Sequence, residues 1–546
     1  MIAWRFIASG AAAAALCPAV QAQVVLDRTD PTQEEEQNLP EIDGDAPLAP
    51  VEREVPAPVA PERTLQVGAI VIEGARALGT ADFLDLVQRY GARALSPTQL
   101  VELTEAVAGR ARDRGYVFAT AWIEPQSLET GVLRVRLDEG VVDEIRIGGS
   151  ADSAVRPLLE PLADGTPVRR AELERRLLLA EDVAGVWIRR TRYEREGERG
   201  ILHVDARRSR FTGYAELAND GSRPIGPYRA RLELDANGLV SARDELDLSF
   251  ATIPFEFEEL LFGNIRYGVP VGRSGTELAV VGTYSETQPG AYLEDRDIFG
   301  RSWRVGAQVR HPLRRTRDLS MWIEGELELR DLRQERAGEL ARHDRIPALR
   351  ASLYSIAALA GGAWRGRLTF SKGLGIFDAT EAGDPLASRD DASADFHSLY
   401  GWFEWERGMG GGFSLELAGR GQLATDPLLT TEDIGLGGNR FLRGYNFSER
   451  FGDEGIMGYG ELRYDWADAL PVLRRVQLYA YADGGVVGNL RNGFGGGSLA
   501  SGGGGLRTEI TRDLDFDLEV AVPLTGPRYD TDDRSPRINF FLTHSF

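Results

Sequence analysis

Residues 229–236 read RARLELDA, a segment in which charged and apolar side chains alternate without a break. Successive side chains of a β-strand point to opposite faces, so the alternation predicts a strand with one charged and one apolar face. Asn237 and Gly238 follow directly, and this dipeptide predicts a tight turn after the strand. The segment therefore predicts one arm of an antiparallel hairpin.

The same alternation recurs in IEGELELR (323–330), ELRYDW (461–466) and FDLEVAV (516–522). A soluble sheet sandwich also alternates, so periodicity alone leaves two architectures open. A densely charged face in strand after strand, opposite an aromatic and aliphatic face, fits the polar lumen and lipid-facing belt of a membrane barrel. The sequence predicts a transmembrane antiparallel β-barrel over residues 208–546, which are long enough for about 16 strands.

The segment RINFFLTHSF (537–546) predicts one more strand, whose apolar face carries Phe540, Leu542 and Phe546. In outer-membrane barrels the last strand is the part that the insertion machinery reads. We interpret these three residues as a barrel C-terminal signal for the barrel-assembly machinery, although His544 interrupts the apolar face. Outer-membrane lipid is the expected surrounding of this face.

Residues 1–22 have the features of a secretory signal peptide, with an early arginine, a short alanine-rich apolar run and small residues before the expected cleavage point. Cys17 is the only cysteine, so the predicted mature chain has no disulfide, although it is exported. Its stability must come from a large core or from closed strand pairing. Residues 23–63 are rich in proline and acidic residues and predict an extended linker.

Two similar modules are predicted between the linker and the barrel, over residues 64–140 and 141–207. In the first module, a strand-like run precedes two helical patterns, and two further strand-like runs follow. Ser96 and Pro97 have the features of an N-cap and a first-turn proline at the start of the second helix. The second module repeats the order β-α-α-β-β. We interpret the pair as a tandem repeat of small α+β domains.

Composition and motifs argue against several classes of function. The net charge of −21 disfavours nucleic-acid binding, which needs a basic surface. The five histidines are scattered, and no spacing typical of a metal site or of a catalytic nucleophile occurs. The run GFGGGSLASGGGG (493–505) lacks the lysine of a phosphate-binding loop and predicts a flexible hairpin loop. We expect no enzyme activity, no metal and no cofactor.

Two such modules in front of a barrel resemble the POTRA domains and barrel of the haemolysin and filamentous-haemagglutinin secretion/activation proteins, the outer-membrane transporters of two-partner secretion. RGYVFATAWIEPQSLETGVLRVRLDEGVVDEI (114–145) is similar to the closing half of their first POTRA domain. AELANDGSRPIGPYRARLELDANGL (215–239) is similar to their first barrel hairpin. GGNRFLRGY (437–445) and YADGG (481–485) resemble the paired motifs of an inward-folded loop and of the barrel wall.

The resemblance implies that a loop around 431–450 folds back into the lumen and locks the pore. A buried arginine needs an acidic partner, and the planar guanidinium of Arg443 suits a carboxylate. The implied lock is an ion pair between Arg443 and Asp483. Taken alone, Arg443 also fits a solvated loop residue and Asp483 an ordinary turn aspartate. The residues that turn the tip, contact the wall and leave room for the approach are implied to be Gly444, Tyr445 and Gly485.

The resemblance also implies a transporter that recognises an unfolded exoprotein, of the adhesin or cytolysin type, through POTRA domains in the periplasm. The exoprotein then crosses the outer membrane through the barrel, and we expect the transporter to be a monomer. Two alternatives are an assembly factor that inserts other barrels and a passive porin or receptor, but two POTRA domains favour secretion. Family members often carry an N-terminal plug helix, which the short, acidic and proline-broken segment 26–41 does not favour.

Overall fold

Two small α+β modules precede a large closed sheet, and a short strand, β1 (Val51–Arg53), lies before the modules in the chain. The predicted signal peptide lies outside the described residues. No helix in the described part of the chain has both the length and the apolar character needed to cross a membrane. The structure, a computed structural model, describes residues 51–53, 64–127, 129–197, 199–467 and 472–546.

The first module contains a three-stranded sheet, a two-stranded sheet and two α-helices. Its second helix begins after Ser96, whose hydroxyl accepts a hydrogen bond from the Gln99 N–H, so the predicted N-cap is confirmed. Leu100, Leu103 and Val107 of this helix are buried in the core of the module. Its elements are β2 (Leu65–Val67), β3 (Ala69–Glu73), a 3₁₀ turn (Thr80–Phe83), α1 (Leu84–Tyr90), β4 (Arg93–Leu95), α2 (Pro97–Asp113), β5 (Thr120–Trp122) and β6 (Val132–Asp138).

The second module repeats the order of strands and helices. Its elements are β7 (Glu144–Gly148), α3 (Asp152–Leu159), a 3₁₀ turn (Glu160–Ala163), α4 (Arg170–Glu181), β8 (Val186–Glu196) and β9 (Arg199–Arg208). Phe118 of the first module stacks on Tyr193 of the second with ring centroids 4.1 Å apart, and both rings are buried. The modules are therefore joined by a packed aromatic contact.

The described part of the predicted linker forms a strand on the second module. β1 pairs in parallel with β8, with Val51 opposite Thr191 and Arg53 opposite Tyr193. The sheet of this module therefore has the order β1-β8-β9-β7. The outer edge of β8 thus accepts an extended segment through main-chain hydrogen bonds.

Sixteen antiparallel strands close into a barrel after the second module, which confirms the predicted fold class and strand number. The barrel strands are β10 (Phe211–Ala218), β11 (Arg229–Asn237), β12 (Glu245–Thr252), β13 (Leu261–Val271), β14 (Thr276–Thr287), β15 (Ile298–Arg315), β16 (Leu319–Arg336), β17 (Glu339–Leu359), β18 (Gly362–Gly373), β19 (His397–Gly410), β20 (Phe413–Ala424), and, after a small hairpin of β21 (Ile434–Leu436) and β22 (Arg450–Gly452), β23 (Glu454–Asp465), β24 (Arg475–Gly488), β25 (Gly497–Glu509), β26 (Leu514–Pro523) and β27 (Arg537–Ser545). Pairing of β10 with β27 closes the barrel.

The two faces of the barrel wall differ in the way that RARLELDA predicts. Leu232 and Leu234 of β11 are exposed on the outer face, where a membrane barrel contacts lipid. Arg229 of the same strand is 1% exposed and lies on the inner face. The inner face therefore holds the charged side chains of the alternating strands.

The predicted C-terminal signal lies on the closing strand. Phe540 and Leu542 are two residues apart in β27 and share its outer face, and Phe546 follows this strand. The Phe546 N–H donates to the Gly213 carbonyl over 3.0 Å, so the last residue also pairs with the first barrel strand. These aromatic and aliphatic side chains stand at the seam of the barrel.

The glycine-rich run 493–505 is not a flexible hairpin loop, because most of it belongs to strand β25. The adjacent strand β24 places the bulky Tyr479 and Tyr481 beside it. A Cβ at Gly503 would lie 2.2 Å from the Val520 carbonyl oxygen and 2.8 Å from the Tyr481 hydroxyl, and one at Gly505 would lie 2.1 Å from the Leu518 carbonyl oxygen and 2.9 Å from the Tyr479 hydroxyl. The glycines therefore make room for the main chain of β26 and for two rings of β24, which is why the prediction of a loop was wrong.

The second module docks onto the near end of the barrel through α4. Arg315, at the end of β15, forms a 2.5 Å ion pair with Asp182, next to the end of α4. Arg273, in the turn between β13 and β14, pairs with Glu160 over 3.1 Å. Glu181 is half-buried in this junction, and burial raises the pKa of its carboxyl to about 7.

We predict that Glu181→Gln stabilises the folded protein at pH 8 but not at pH 5. The folded-state pKa of Glu181 is raised above its ordinary 4.5, so the fold favours the protonated carboxyl. Its stabilising contribution to the free energy of unfolding is complete below pH 4.5 and is lost as the pH rises through 7. Glutamine removes this loss, and we expect a gain on the order of 1 kcal/mol at pH 8. Thermal unfolding in detergent at both pH values measures the difference, and an equal shift at pH 5 and pH 8 contradicts the prediction.

Candidate functional site: the loop inside the barrel

Residues 425–453, here called the inward loop, connect β20 to β23 and turn back against the inner wall of the barrel. Leu442 and Tyr445 at its tip are both 0% exposed. Leu442 adopts a left-handed backbone with φ 58°, and the Tyr445 N–H donates to the Leu442 carbonyl over 2.9 Å. This turn directs the side chain of Arg443 into the lumen.

The guanidinium of Arg443 lies between two carboxylates of the barrel wall. Its Nη2 is 2.8 Å from Glu461 Oε2 on β23, and its Nη1 is 3.0 Å from Glu519 Oε2 on β26. All three side chains are almost fully buried. We call this arrangement the inner lock, because two charge-assisted contacts on different strands fix one loop residue.

Aromatic rings complete the surroundings of Arg443. Its guanidinium carbon lies 3.8 Å from the ring centroid of Tyr481 and 4.9 Å from that of Tyr459. The Tyr479 hydroxyl donates to Glu519 over 3.1 Å and holds that carboxylate in place. Cation–π contacts are strongest where water is excluded, so these rings strengthen the inner lock.

The structure corrects the predicted ion pair between Arg443 and Asp483. Asp483 accepts a hydrogen bond from the main-chain N–H of Arg443 over 3.1 Å, and it also accepts one from the Ser501 hydroxyl. The reason is the length of the arginine side chain. Asp483 lies beside the main chain of Arg443. Glu461 lies opposite Tyr481, which is two residues from Asp483 on β24, so it is nearer to the end of the arginine side chain.

Gly444 was implied to turn the tip, but it serves close packing, as Gly485 does. Gly444 is not in the left-handed region, and a Cβ there would lie 2.9 Å from both Pro523 N and Ser501 Cβ. A Cβ at Gly485 would lie 2.8 Å from Leu436 of the inward loop. The loop therefore approaches the wall at distances that only glycine allows.

Tyr445 attaches the tip to the wall. Its hydroxyl lies 3.2 Å from the Ala500 carbonyl and 2.9 Å from Thr525 Oγ1. The first contact is with β25 and the second is with the loop that precedes β27. A buried tyrosine hydroxyl with partners on two segments gives the tip one defined position.

Other contacts fasten the inward loop around the barrel. Glu432 pairs with Arg350 of β17 over 2.7 Å, and Arg440 pairs with Glu404 of β19. Arg537 of β27 donates to Asn446 over 3.1 Å. The loop is therefore held from several sides of the barrel.

Sequence reasoning missed the two carboxylates of the inner lock. Glu461 and Glu519 lie on the charged faces of two segments that the alternation identified, ELRYDW and FDLEVAV. Their inward direction could be predicted, but the pairing register that brings them to Arg443 could not. Within the described ranges, no group of three or more metal-ligating side chains could hold a metal ion.

A family model for the haemolysin secretion/activation proteins ShlB/FhaC/HecB matches residues 200–508, which is more than half of the chain. The chain belongs to this family. A model for the ShlB-type POTRA domain also matches residues 65–140. The haemolysin secretion/activation family therefore accounts for both the barrel and the first module.

Two relatives cover most of the chain. The heme/hemopexin transporter protein HuxB of Haemophilus influenzae strain 86-028NP is 23% identical over 70% of this chain and 69% of its own. The outer membrane transporter CdiB of Escherichia coli is 24% identical over 77% of this chain and 72% of its own. Both relatives are transporters by name.

Solved structures show the same fold. CdiB from Escherichia coli aligns with a TM-score of 0.69 at 19% identity, over 98% of this chain and 100% of that chain. CdiB from Acinetobacter baumannii gives 0.62 at 17% identity, over 97% and 99%. The protein is thus a two-partner secretion transporter with its barrel in the outer membrane and its POTRA domains in the periplasm.

We predict that Arg443→Ala releases the inward loop, whereas Asp483→Asn has a small effect. Arg443→Ala leaves two buried carboxylates without their shared cation, which costs about 3–5 kcal/mol in comparable buried pairs. Asparagine at position 483 keeps an acceptor for the Arg443 N–H. Single-channel conductance in planar bilayers and thermal stability in detergent measure both effects, and we expect a clear conductance increase only for Arg443→Ala.

A matched control is Arg475→Gln, which breaks an exposed ion pair with Asp465 at the periplasmic end of the barrel. Exposed pairs contribute little, so this variant should match the native protein. If Asp483→Asn raises the conductance as much as Arg443→Ala does, the inner lock depends on Asp483, and our assignment of Glu461 and Glu519 is wrong.

Proposed function

We propose that this transporter captures an unfolded exoprotein at the edge of β8 and passes it outward when the inward loop leaves its place. The observation that carries the proposal is the parallel pairing of β1 with β8. An exoprotein segment that takes the place of β1 makes the same main-chain hydrogen bonds. Such bonds do not depend on a particular sequence, which suits a chain that arrives unfolded.

The lumen offers a charged route next to the inward loop. A cavity between the loop and the wall is lined by Arg310, Glu324 and Arg367 among other residues of β13 to β20. Glu324 lies 3.4 Å from Arg310 and 3.2 Å from Arg367, so these charges pair with one another along the inner face of the wall. A polar surface of paired charges suits a hydrated polypeptide without strongly attracting one sign of charge.

The cargo that we propose is one dedicated exoprotein of the adhesin or cytolysin type. Its folding outside the cell biases the direction of transport, and the transporter acts as a monomer without any catalytic step. The barrel-assembly machinery inserts the transporter through the apolar face of β27, which then contacts lipid.

Deletion of the gene tests this function. We expect one secreted protein to disappear from the medium while the other outer-membrane barrels remain at their normal level, because the transporter serves a dedicated partner. Quantitative mass spectrometry of the medium and of the outer membrane measures both. Loss of many barrels supports an assembly factor instead, and loss of a small solute's uptake supports a porin or receptor.

A photo-crosslinking residue at position 192 tests the capture site. Arg192 lies on β8 opposite Glu52 of β1, where we expect the exoprotein to bind. The control position is Arg146 on β7, at the opposite edge of the same sheet. We expect crosslinks to the secreted protein from position 192 and few from position 146, and equal yields from both positions contradict capture at β8.

A further inference from the structure

A second cluster of buried contacts lies at the extracellular end of the barrel, away from the inner lock. Its centre is Asp453, which is 0% exposed and lies where the inward loop returns to β23. Its carboxylate accepts hydrogen bonds from the Leu428 N–H over 2.6 Å and from the Leu490 N–H over 2.7 Å. One carboxylate therefore joins both ends of the inward loop to the loop between β24 and β25.

Arg389 brings a third loop to the same carboxylate. It lies between β18 and β19, is 6% exposed, and places Nη1 2.8 Å from each carboxylate oxygen of Asp453. Its Nε donates to Asp391 over 2.6 Å, which orients the guanidinium. Arg389 also donates to the Leu490 carbonyl. Each of three loops thus contributes to one network around the guanidinium of Arg389.

An apolar layer lies next to this network. Leu428 and Leu429 of the inward loop pack against Ala392 and Phe396 of the loop between β18 and β19. The Thr430 N–H donates to the Ser388 hydroxyl over 3.1 Å, so the two loops also meet through their main chain and side chains. Together these contacts join the inward loop to the loop between β18 and β19 and to the loop between β24 and β25.

We propose that the Arg389–Asp453 pair is an outer lock, separate from the inner lock. The exported chain leaves only when the inward loop and the loop between β18 and β19 part. Displacement of the loop tip from Glu461 and Glu519 frees the lumen but does not separate the loops that meet at Asp453. The outer lock therefore adds a second barrier on the same route. This inference rests on the proposed export of an exoprotein through the barrel.

The chemistry of the contact favours a closure that opens. A buried ion pair is often no more stable than an apolar contact of the same volume, because both charges lose their hydration. When the loops part, Arg389 and Asp453 regain water, whereas apolar side chains at this place would be exposed unfavourably. An ion pair therefore suits a contact that forms and breaks during each transport event.

A disulfide between the loops tests the outer lock directly. Cys17 is the only cysteine of the sequence, so a Ser388→Cys, Thr430→Cys double variant introduces the only pair that can join these loops. Secretion of the exoprotein identified by gene deletion is measured with the pair reduced and with the pair oxidised. We expect normal export in the reduced state and, in the oxidised state, a fall to the level of the deletion strain.

The two single-cysteine variants are the controls, and a shift in gel mobility reports the fraction of the oxidised pair. Export by the reduced variant shows that the proposed function holds, independently of the outer lock. Normal export by the fully oxidised variant overturns the outer lock alone. Failure of the native protein to export any protein overturns the proposed function itself.

Channel conductance in potassium chloride gives a second measurement that does not depend on disulfide formation. Asp453→Asn removes the charge that holds Arg389, but the inner lock still closes the route, so we expect little change in conductance from this variant alone. In the Arg443→Ala background we expect Asp453→Asn to increase the conductance further, because the two locks close the same route at different levels. A conductance of Arg443→Ala that Asp453→Asn leaves unchanged overturns the proposal.

Discussion

The charge of Arg443 is the constraint on which the interior of this barrel depends. A guanidinium buried between the inward loop and the barrel wall must find carboxylates, and here Glu461 and Glu519 approach it from two strands. Glu461 also accepts from Arg463 and Arg507, so the lock is continuous with the charged inner wall. The position of the loop tip therefore follows from the charge pattern of the strands.

The small residues of the wall follow from the same constraint. Tyr479 and Tyr481 of β24 surround the guanidinium, and the glycines of β25 leave space for their rings. Gly444 lets the tip approach the wall closely. A glycine-rich strand is usually a weak strand, but in a closed barrel its main-chain hydrogen bonds remain paired on both sides. The loss of side-chain packing within β25 is thus compensated by rings from the neighbouring strand.

Alternation predicted the strands and their two faces, and the densely charged face that recurs in strand after strand favoured a barrel over a soluble sandwich. RARLELDA lies in β11 with the predicted faces. The same reasoning failed for the glycine run, since the neighbours that explain its composition are on another strand. It also missed β1, which is only three residues long and pairs with a strand far away in the chain. The local sequence predicts which face of the sheet a side chain occupies, but it does not predict which residue lies opposite on the neighbouring strand.

The ion pair between Arg443 and Asp483 shows the same limit at the level of single atoms. Asp483 was correctly placed beside the loop tip, because the two motifs come together in space. It binds the main chain rather than the guanidinium, since an arginine side chain reaches beyond the residue that is level with its own backbone. This division of roles has a consequence for opening. The main-chain contact positions the tip, while the charges hold it, so the barrier to displacement resides in contacts that water can replace as the loop moves.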